Sequence, residues 1–321
     1  MSTSNVRGVR LMVRVGRMHY EQGLRQMEIA EKLEISTAKV SRLLKRAEAE
    51  GIVRTMVMTP QGMHPELEEF LEEEYGLEEV IVADARGSAR EVLPALSAVG
   101  AEYVHRSLQT PGTAGVSAWS ETLDGVALNL RVDAGARAGT VVQLIGGSGP
   151  ASAQLASMQM LERFAKALSA EPVMVPFAGV VSTAEARRVI LEDSSLADVV
   201  EQWDSVDIAF LGIGGLQASP TLRRSGNIST SVQEELRKLG SVGDICLRHF
   251  DAEGSFIESE YDSRIVGVTP GQLLKIPRRV GIAGGDEKVS AIRAALHGKH
   301  LTTLITDEGT AMALREGRNH G

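Results

Sequence analysis

The chain carries a single cysteine, Cys246, in 321 residues. That excludes a disulfide framework and any cysteine-rich metal site within one chain. No apolar run approaches the roughly 18 residues of a membrane-crossing helix, and the N-terminal MSTSNVRGVRLMVRVGRMHYE lacks the apolar core of a secretion signal. A cytoplasmic protein is therefore expected. The histidines (His19, His64, His105, His249, His297, His300, His320) form no HxH or HExxH pair, so no metal site is expected. Missing too are the GxGxxG and GxxxxGK(S/T) loops of dinucleotide and nucleoside-triphosphate sites, any fixed-period repeat and any low-complexity tract. No cofactor is expected.

What is present is distributed unevenly. A net charge of −8 weighs against nucleic acid when taken whole. Residues 1–58, however, hold 11 Lys+Arg against 6 Asp+Glu, a net of +5, and the remainder holds 23 against 36, a net of −13. A basic head precedes an acidic body. DNA attracts the first and repels the second, which favours one docking orientation. The length suits two domains, with boundaries expected at 1–58, a linker over 59–64 (TPQGMH read from Thr59, with its Pro and Gly) and a second domain over 65–318.

Within the head, Gln26 to Glu50 reads as a helix-turn-helix. Ile29, Ala30 and Leu33 give a short first helix its apolar face, Glu34 and Ile35 make the connection, and Ser36 or Thr37 caps a second helix running from Ala38 to about Glu50. Val40, Leu43, Leu44 and Ala47 fall at i, i+3, i+4 and i+7, so one face is buried. The residues expected at DNA are Ser36, Thr37, Ala38, Lys39, Ser41, Arg42, Lys45 and Arg46, side chains and a helix start suited to base edges and phosphates in a major groove. A plain amphipathic hairpin with a solvated basic face is the bland alternative. Against it stand the capped basic helix and Gly51 followed by Ile52 to Met58, a segment β-branched enough for a wing strand. Residues 7–22 predict a first helix with Arg7, Arg10, Arg14 and Arg17 along one side.

From Pro65 the pattern changes. Pro65 to Leu77 predicts a helix closed by Gly76, and eight glutamates between Glu66 and Glu79 rule that segment out as a DNA contact. Short β-branched runs then alternate with helices: strands are expected at 79–83, 112–117, 140–145, 172–175, 206–211, 244–250, 279–283 and 302–306. Helices are expected at 88–108, 120–130, 152–168, 183–192, 196–202 and 287–297. Strand, glycine turn, helix, repeated, predicts an open, mostly parallel α/β sheet covered on both faces.

Ligands of such sheets bind at the carboxyl ends of strands. Paired glycines leave three of them: Gly146/Gly147 with Ser148, Gly214/Gly215, and Gly284/Gly285. Glycine lets backbone N–H groups approach an anion, although turn chemistry alone also explains each pair. Lys288 opens the helix after Gly285, where a cation opposes the helix dipole; an anionic ligand, or Asp286 or Glu287 nearby, accounts for it. Asp307 and Glu308 follow a strand and read as an acid/base pair or as helix caps. Cys246 falls inside a predicted strand as a small core residue.

Taken together these blocks resemble the SorC family of bacterial transcription regulators. The carriers are MEIAEKLEISTAKVSRLLKRAEAEGIV (27–53), GVSAWSETL (115–123), VVQLIGG (141–147), DIAFLGIGG (207–215), VGDICLRHFDAEG (242–254), PRRVGIAGGDEKVSAIRAAL (277–296) and LITDEGTAMAL (304–314), in order along nearly the whole chain. The resemblance implies a winged helix-turn-helix domain followed by a Rossmann-like sugar-binding domain similar to sugar-phosphate isomerases. It also implies a tetramer and a sugar, polyol or sugar phosphate that modulates binding to double-stranded operator DNA. The effector residues it implies are Trp119, Gly146, Gly147, Ser148, Gly214, Gly215, Asp251, Gly284, Gly285 and Lys288. Many members carry Gly-x-x-Trp-Gly after the first of these strands, whereas here Ser120 and Glu121 follow Trp119, which weighs toward an unphosphorylated sugar or polyol. The rival reading is a sugar-phosphate isomerase or kinase with a helical adaptor, using Lys288, Asp307 or Glu308. The sequence offers it no convincing nucleophile and base, and no enzyme is expected.

Overall fold

A computed structural model describes residues 3–53, 60–108, 112–117, 119–132, 135, 137–147, 151–215 and 229–317. The chain divides into two compact units, residues 1–60 and 61–321.

The first unit is helical. Helix α1 (Thr3–Gly16) passes into one π-helical turn (Arg17–Glu21), and α2 (Gln26–Leu33) and α3 (Thr37–Ala49) follow. The expected helix over 7–22 thus begins earlier and widens at its end. Val15, Met18, Ile29, Ala30, Val40 and Leu44 are buried together as its core. Glu34 sits between α2 and α3 in the left-handed region, φ 54°. Residues 54–59, which hold most of the expected wing, lie outside the described residues; Ile52 and Val53 both donate their N–H groups to the Ala47 carbonyl.

The second unit is built on a sheet whose strands are β1 (Glu79–Ala83), β2 (Thr113–Val116), β3 (Thr140–Gln143), β4 (Glu171–Val173), β5 (Ile208–Leu211), β9 (Arg278–Ile282) and β10 (Thr303–Asp307). All pairings are parallel, in the order β1-β10-β9-β5-β2-β3-β4. The helices between them are α4 (Pro65–Tyr75), α5 (Ala89–Ser107), α6 (Glu121–Asn129), α7 (Ala151–Ala167), α8 (Ala184–Glu192), α9 (Ser194–Asp204), α10 (Thr230–Lys238), α11 (Pro270–Lys275), α12 (Val289–His297) and α13 (Glu308–Arg315). Strands buried on both faces read as continuous apolar runs, and β5 (IAFL) is buried at every position. Two large apolar clusters and a smaller third hold the unit among the described residues: one gathers Leu67, Trp203, Ile245 and Leu296, another Leu96, Val126, Phe164 and Phe210, and the smaller one Ile145, Leu247 and Tyr261.

From β2 the chain runs outward through β3 to β4 and returns as β5 on the other side of β2. The strand order reverses between β2 and β5, which is where sheets of this kind open a crevice beyond their carboxyl ends.

One expected element is wrong in kind. The strand over 244–250 is a tight hairpin, β7 (Gly243–Ile245) and β8 (Arg248–Phe250), with β6 (Gly214–Gly215) antiparallel to β7. The reversal falls on Cys246 and Leu247, with φ of 53° and 60°. Both central residues of such a turn need positive φ, normally supplied by Asn or Gly. With neither present, the turn carries no sequence signal. Cys246 therefore sits at the turn rather than within a strand, still buried, and burial pushes its thiol up to about 12. Likewise the helix expected from 287 starts at Val289, after a 3-10 turn (Asp286–Lys288).

Candidate nucleic-acid interface and effector site

In the first unit, Ser36 caps α3: its hydroxyl accepts from the Lys39 N–H at 3.3 Å. The helix start is thereby fixed, and Thr37, Ala38, Lys39, Arg42, Lys45 and Arg46 stand exposed, with Ser41 half-buried. Arg42 Nε donates to the Ala38 carbonyl at 3.3 Å, which leans the guanidinium toward the N-terminal end of the helix. Arg46 pairs with Glu50 at 2.6 Å on the surface, a contact weak enough for a phosphate to displace. Of the residues expected at DNA, all eight are thus on or capping one helix, and Lys39, Arg42 and Lys45 present the accessible cations.

In the second unit the structure changes the meaning of the glycine pairs. The Gly146 N–H donates to the Val266 carbonyl and that of Gly147 to the Phe177 carbonyl, at 2.9 and 3.0 Å. Gly285 N donates to Asp307 Oδ2 and Thr310 Oγ1, at 2.8 and 2.9 Å. These donors are spent inside the fold and do not cradle an anion. The glycines are there for close approach. A Cβ on Gly146 would lie 2.5 Å from the Phe177 carbonyl oxygen, one on Gly284 would lie 2.0 Å from Asp307 Oδ2, and one on Gly214 would lie 2.0 Å from Asp244 Oδ1. Gly285 also needs its conformation, φ 102°. Ser148 lies outside the described residues.

What gathers at the crevice is charged. Lys288 is half-buried as a residue, and desolvation of its ammonium pushes the pKa down, against the pull of Asp244, Glu287 and Glu121. A lone cation at that depth is costly, so three carboxylates within electrostatic reach are its compensation. Asp244, buried on β7, accepts from the Leu247 N–H at 3.1 Å and packs on Gly214. Glu287 accepts from the Ala89 N–H, at 3.1 Å to either oxygen. Glu121 begins α6, two residues beyond Trp119, whose indole donates to the Gly146 carbonyl at 2.9 Å from a backbone at φ 73°. Ser120 caps α6 through its hydroxyl to Leu123 N–H at 3.2 Å, and it lies so close to Gly212 that a Cβ there would come within 2.4 Å of the Ser120 oxygen.

The structure therefore brings together Lys288, the Trp119 loop, Gly214 and Gly215 around the switch between β2 and β5. Asp251 is placed elsewhere. Its carboxylate accepts from the Glu253 and Ser255 N–H groups at 3.1 and 2.8 Å, tying off a loop whose Gly254 touches the carboxyl end of α12 at Gly298. Lys288 precedes the opposite end of that helix. The resemblance implied Asp251 at the effector; the reversal at Cys246–Leu247 turns it back, and Asp244 is the acid that faces the lysine. Asp244 and Glu121 were not legible as site residues, whereas Glu287 was legible as an acid beside Lys288. Asp307 and Glu308 do not form an acid/base pair: Asp307 accepts from Thr310, and Glu308 is forked by Arg86.

The family model for the sugar-binding domain (Sugar-bind) matches residues 60–315. The deoxyribonucleoside regulator of Bacillus subtilis is 34% identical over 305 residues, covering 95% of this chain and 96% of the relative. The sorbitol operon regulator of Klebsiella pneumoniae is 30% identical over 312 residues, covering 95% and 98%. The crystal structure of the full-length sorbitol operon regulator SorC from Klebsiella pneumoniae superposes with a TM-score of 0.71, at 27% identity, covering 95% of this chain and 98% of that one. A helical head bearing an exposed basic helix, a parallel α/β body with a charged cluster at its switch point, and matches over 95% of the chain to two regulators converge: the chain belongs to the SorC family of sugar-responsive transcription regulators.

Proposed function

We propose that the protein binds double-stranded operator DNA through α3 and that a sugar, polyol or sugar phosphate in the crevice around Lys288 sets its affinity for that operator. The observation that carries the effector half is the Lys288–Asp244–Glu121 constellation at the strand-order switch. A buried ammonium and carboxylates, beside an indole already oriented by Gly146, offer donors, acceptors and an apolar face to a hydroxylated ring. Ser120 occupies the room that a glycine would leave against Gly212, which favours a ligand without a phosphate at that loop. The residues supporting the DNA half are Lys39, Arg42 and Lys45 on a capped helix, within the basic first 58 residues.

The coupling is a population shift: the effector binds one arrangement of the acidic domain better, and paired recognition helices in a homo-oligomer, a tetramer in this reading, no longer match half-sites about 34 Å apart. No turnover of the sugar is part of the mechanism, and the protein acts in the cytoplasm. Domain roles follow: residues 1–58 read DNA, 59–64 link, and 65–318 bind effector and partner copies. A gel-shift titration with a panel of sugars, polyols and sugar phosphates tests this. An effector that changes operator affinity is the expected result; a ligand shown to bind the protein without moving operator affinity refutes the coupling.

A further inference from the structure

Local spacing gives the histidines no metal motif, yet the fold assembles one. One ring nitrogen of His64 and one oxygen each from Asp84 and Glu308 all lie within 4.8 Å of one another. His64 caps α4 at the very start of the second unit, Asp84 follows β1, and Glu308 opens α13 after β10. Adjacent parallel strands β1 and β10 therefore place two carboxylates side by side, and the segment entering the unit lays an imidazole across them. Gly62, at φ 81°, faces Asp84 at a distance where a Cβ would be 3.0 Å from Oδ2, so the whole segment is seated on that acid.

The contacts within the group are too long for hydrogen bonds and close to what an ion would impose. His64 Nε2 is 3.7 Å from Asp84 Oδ1, and Nδ1 is 3.8 Å from Glu308 Oε1. These two approaches use opposite ring nitrogens, and an ion takes one of them; the single-nitrogen set spans up to 4.8 Å, against roughly 3.4 Å between ligands held at about 2.0–2.2 Å from a tetrahedral ion, so rotation of the ring and closure of one carboxylate complete the geometry. His64 Nε2 is shielded from solvent and has no hydrogen-bond partner among the described residues, a buried polar atom whose cost an ion would remove. Arg86 donates from Nε to Glu308 Oε2 at 2.7 Å and pairs with Oε1 as well. It orients that carboxylate, while each oxygen keeps a second lone pair for a ligand. Asp84, 63% exposed, leaves the solvent side for water to fill the remaining positions.

We propose that His64, Asp84 and Glu308 bind a divalent first-row transition ion. The imidazole in the set selects zinc, cobalt or nickel over calcium and magnesium, which prefer all-oxygen shells. Bound there, the ion fastens the start of the second unit to the ends of β1 and β10.

Untagged full chain, stripped with chelator and dialysed, is titrated with Zn2+ and with Co2+, following heat and the visible Co2+ bands; Mg2+ serves as the comparison. The expected result is one equivalent of Zn2+ or Co2+ bound, with no matching Mg2+ isotherm. His64→Gln and Asp84→Asn each weaken it at least ~10-fold, and His320→Gln, in the tail, leaves it unchanged. Circular dichroism and ion-free melting of the variants check that the fold is intact. Absence of a stoichiometric isotherm, or an affinity that survives both His64→Gln and Asp84→Asn, overturns the assignment, as does its loss in His320→Gln alone.

Discussion

Asp124 gives a sharp test of the physical reading of the second unit. It lies on α6, half-buried where α6 packs on α7, and burial pushes its pKa from 3.8 up to about 6, with Glu121 adding to the rise and Arg163 opposing it. A rise of about 2 units corresponds to roughly 3 kcal/mol at 1.36 kcal/mol per unit; partial exposure and screening reduce that to about 1–2 kcal/mol. The sign follows from linkage. A folded pKa above the unfolded one means that the stability is fully present below about pH 4 and is lost as pH rises through about 6. Asp124→Asn removes the ionisation, so the variant should match the wild type near pH 4 and exceed it by about 1–2 kcal/mol at pH 8. For a unit of this size that is about 3–6 °C in Tm. Differential scanning fluorimetry across pH 4 to 8 reads it directly. A Tm difference independent of pH, or a variant less stable than wild type at pH 8, would show that the Arg163 attraction outweighs burial and would refute the reasoning.

Other expectations concern the two sites. Arg42→Ala should relax sequence preference at one base position by about 1–3 kcal/mol, whereas Lys45→Ala should weaken all sequences alike and lower the salt slope by about 1; quantitative gel shifts at several ionic strengths separate them. Lys288→Gln and Asp244→Asn should each abolish the response of operator affinity to effector while leaving effector-free binding intact, and a normal titration in both would remove the crevice from the mechanism. Gly285→Ala combines a left-handed backbone with a Cβ 2.2 Å from the Ala89 N atom, so it should cost at least about 2 kcal/mol, measured by urea denaturation of the second unit's transition.

The alternation of apolar runs and glycine turns was enough to read a parallel α/β body, and the capped basic helix was enough to read the head. Both rest on periodicities that survive in one dimension. The strand order did not follow from it, because which strand neighbours which is set by crossovers. The hairpin at Cys246–Leu247 was hidden since its turn uses residues without turn chemistry, and with it was hidden the placement of Asp244 as an acid facing Lys288. Gly146 and Gly284 were legible as special, but their role is close approach: they make room for backbone and carboxylate, and the N–H groups of Gly146, Gly147 and Gly285 are already used inside the fold. His64, Asp84 and Glu308 are far apart in sequence, and only the adjacency of β1 and β10 unites them.

The glutamate-rich α4 has a further consequence. Its Glu72 and Glu68 carboxylates accept the N–H groups of Val80 and Val82 at 2.8 and 2.9 Å, the donors that β1 turns away from β10. At the opposite border, β4 carries Pro172, opposite Val141 of β3, which has no N–H to offer. Open strand borders are the usual templates for uncontrolled strand addition and fibre growth; here one is covered by carboxylates and the other interrupted by a proline. Copies of this chain are thereby discouraged from joining sheet to sheet. Any assembly of copies is left to the helical faces, and the acids that look like mere solubilising charge act as guards on the border.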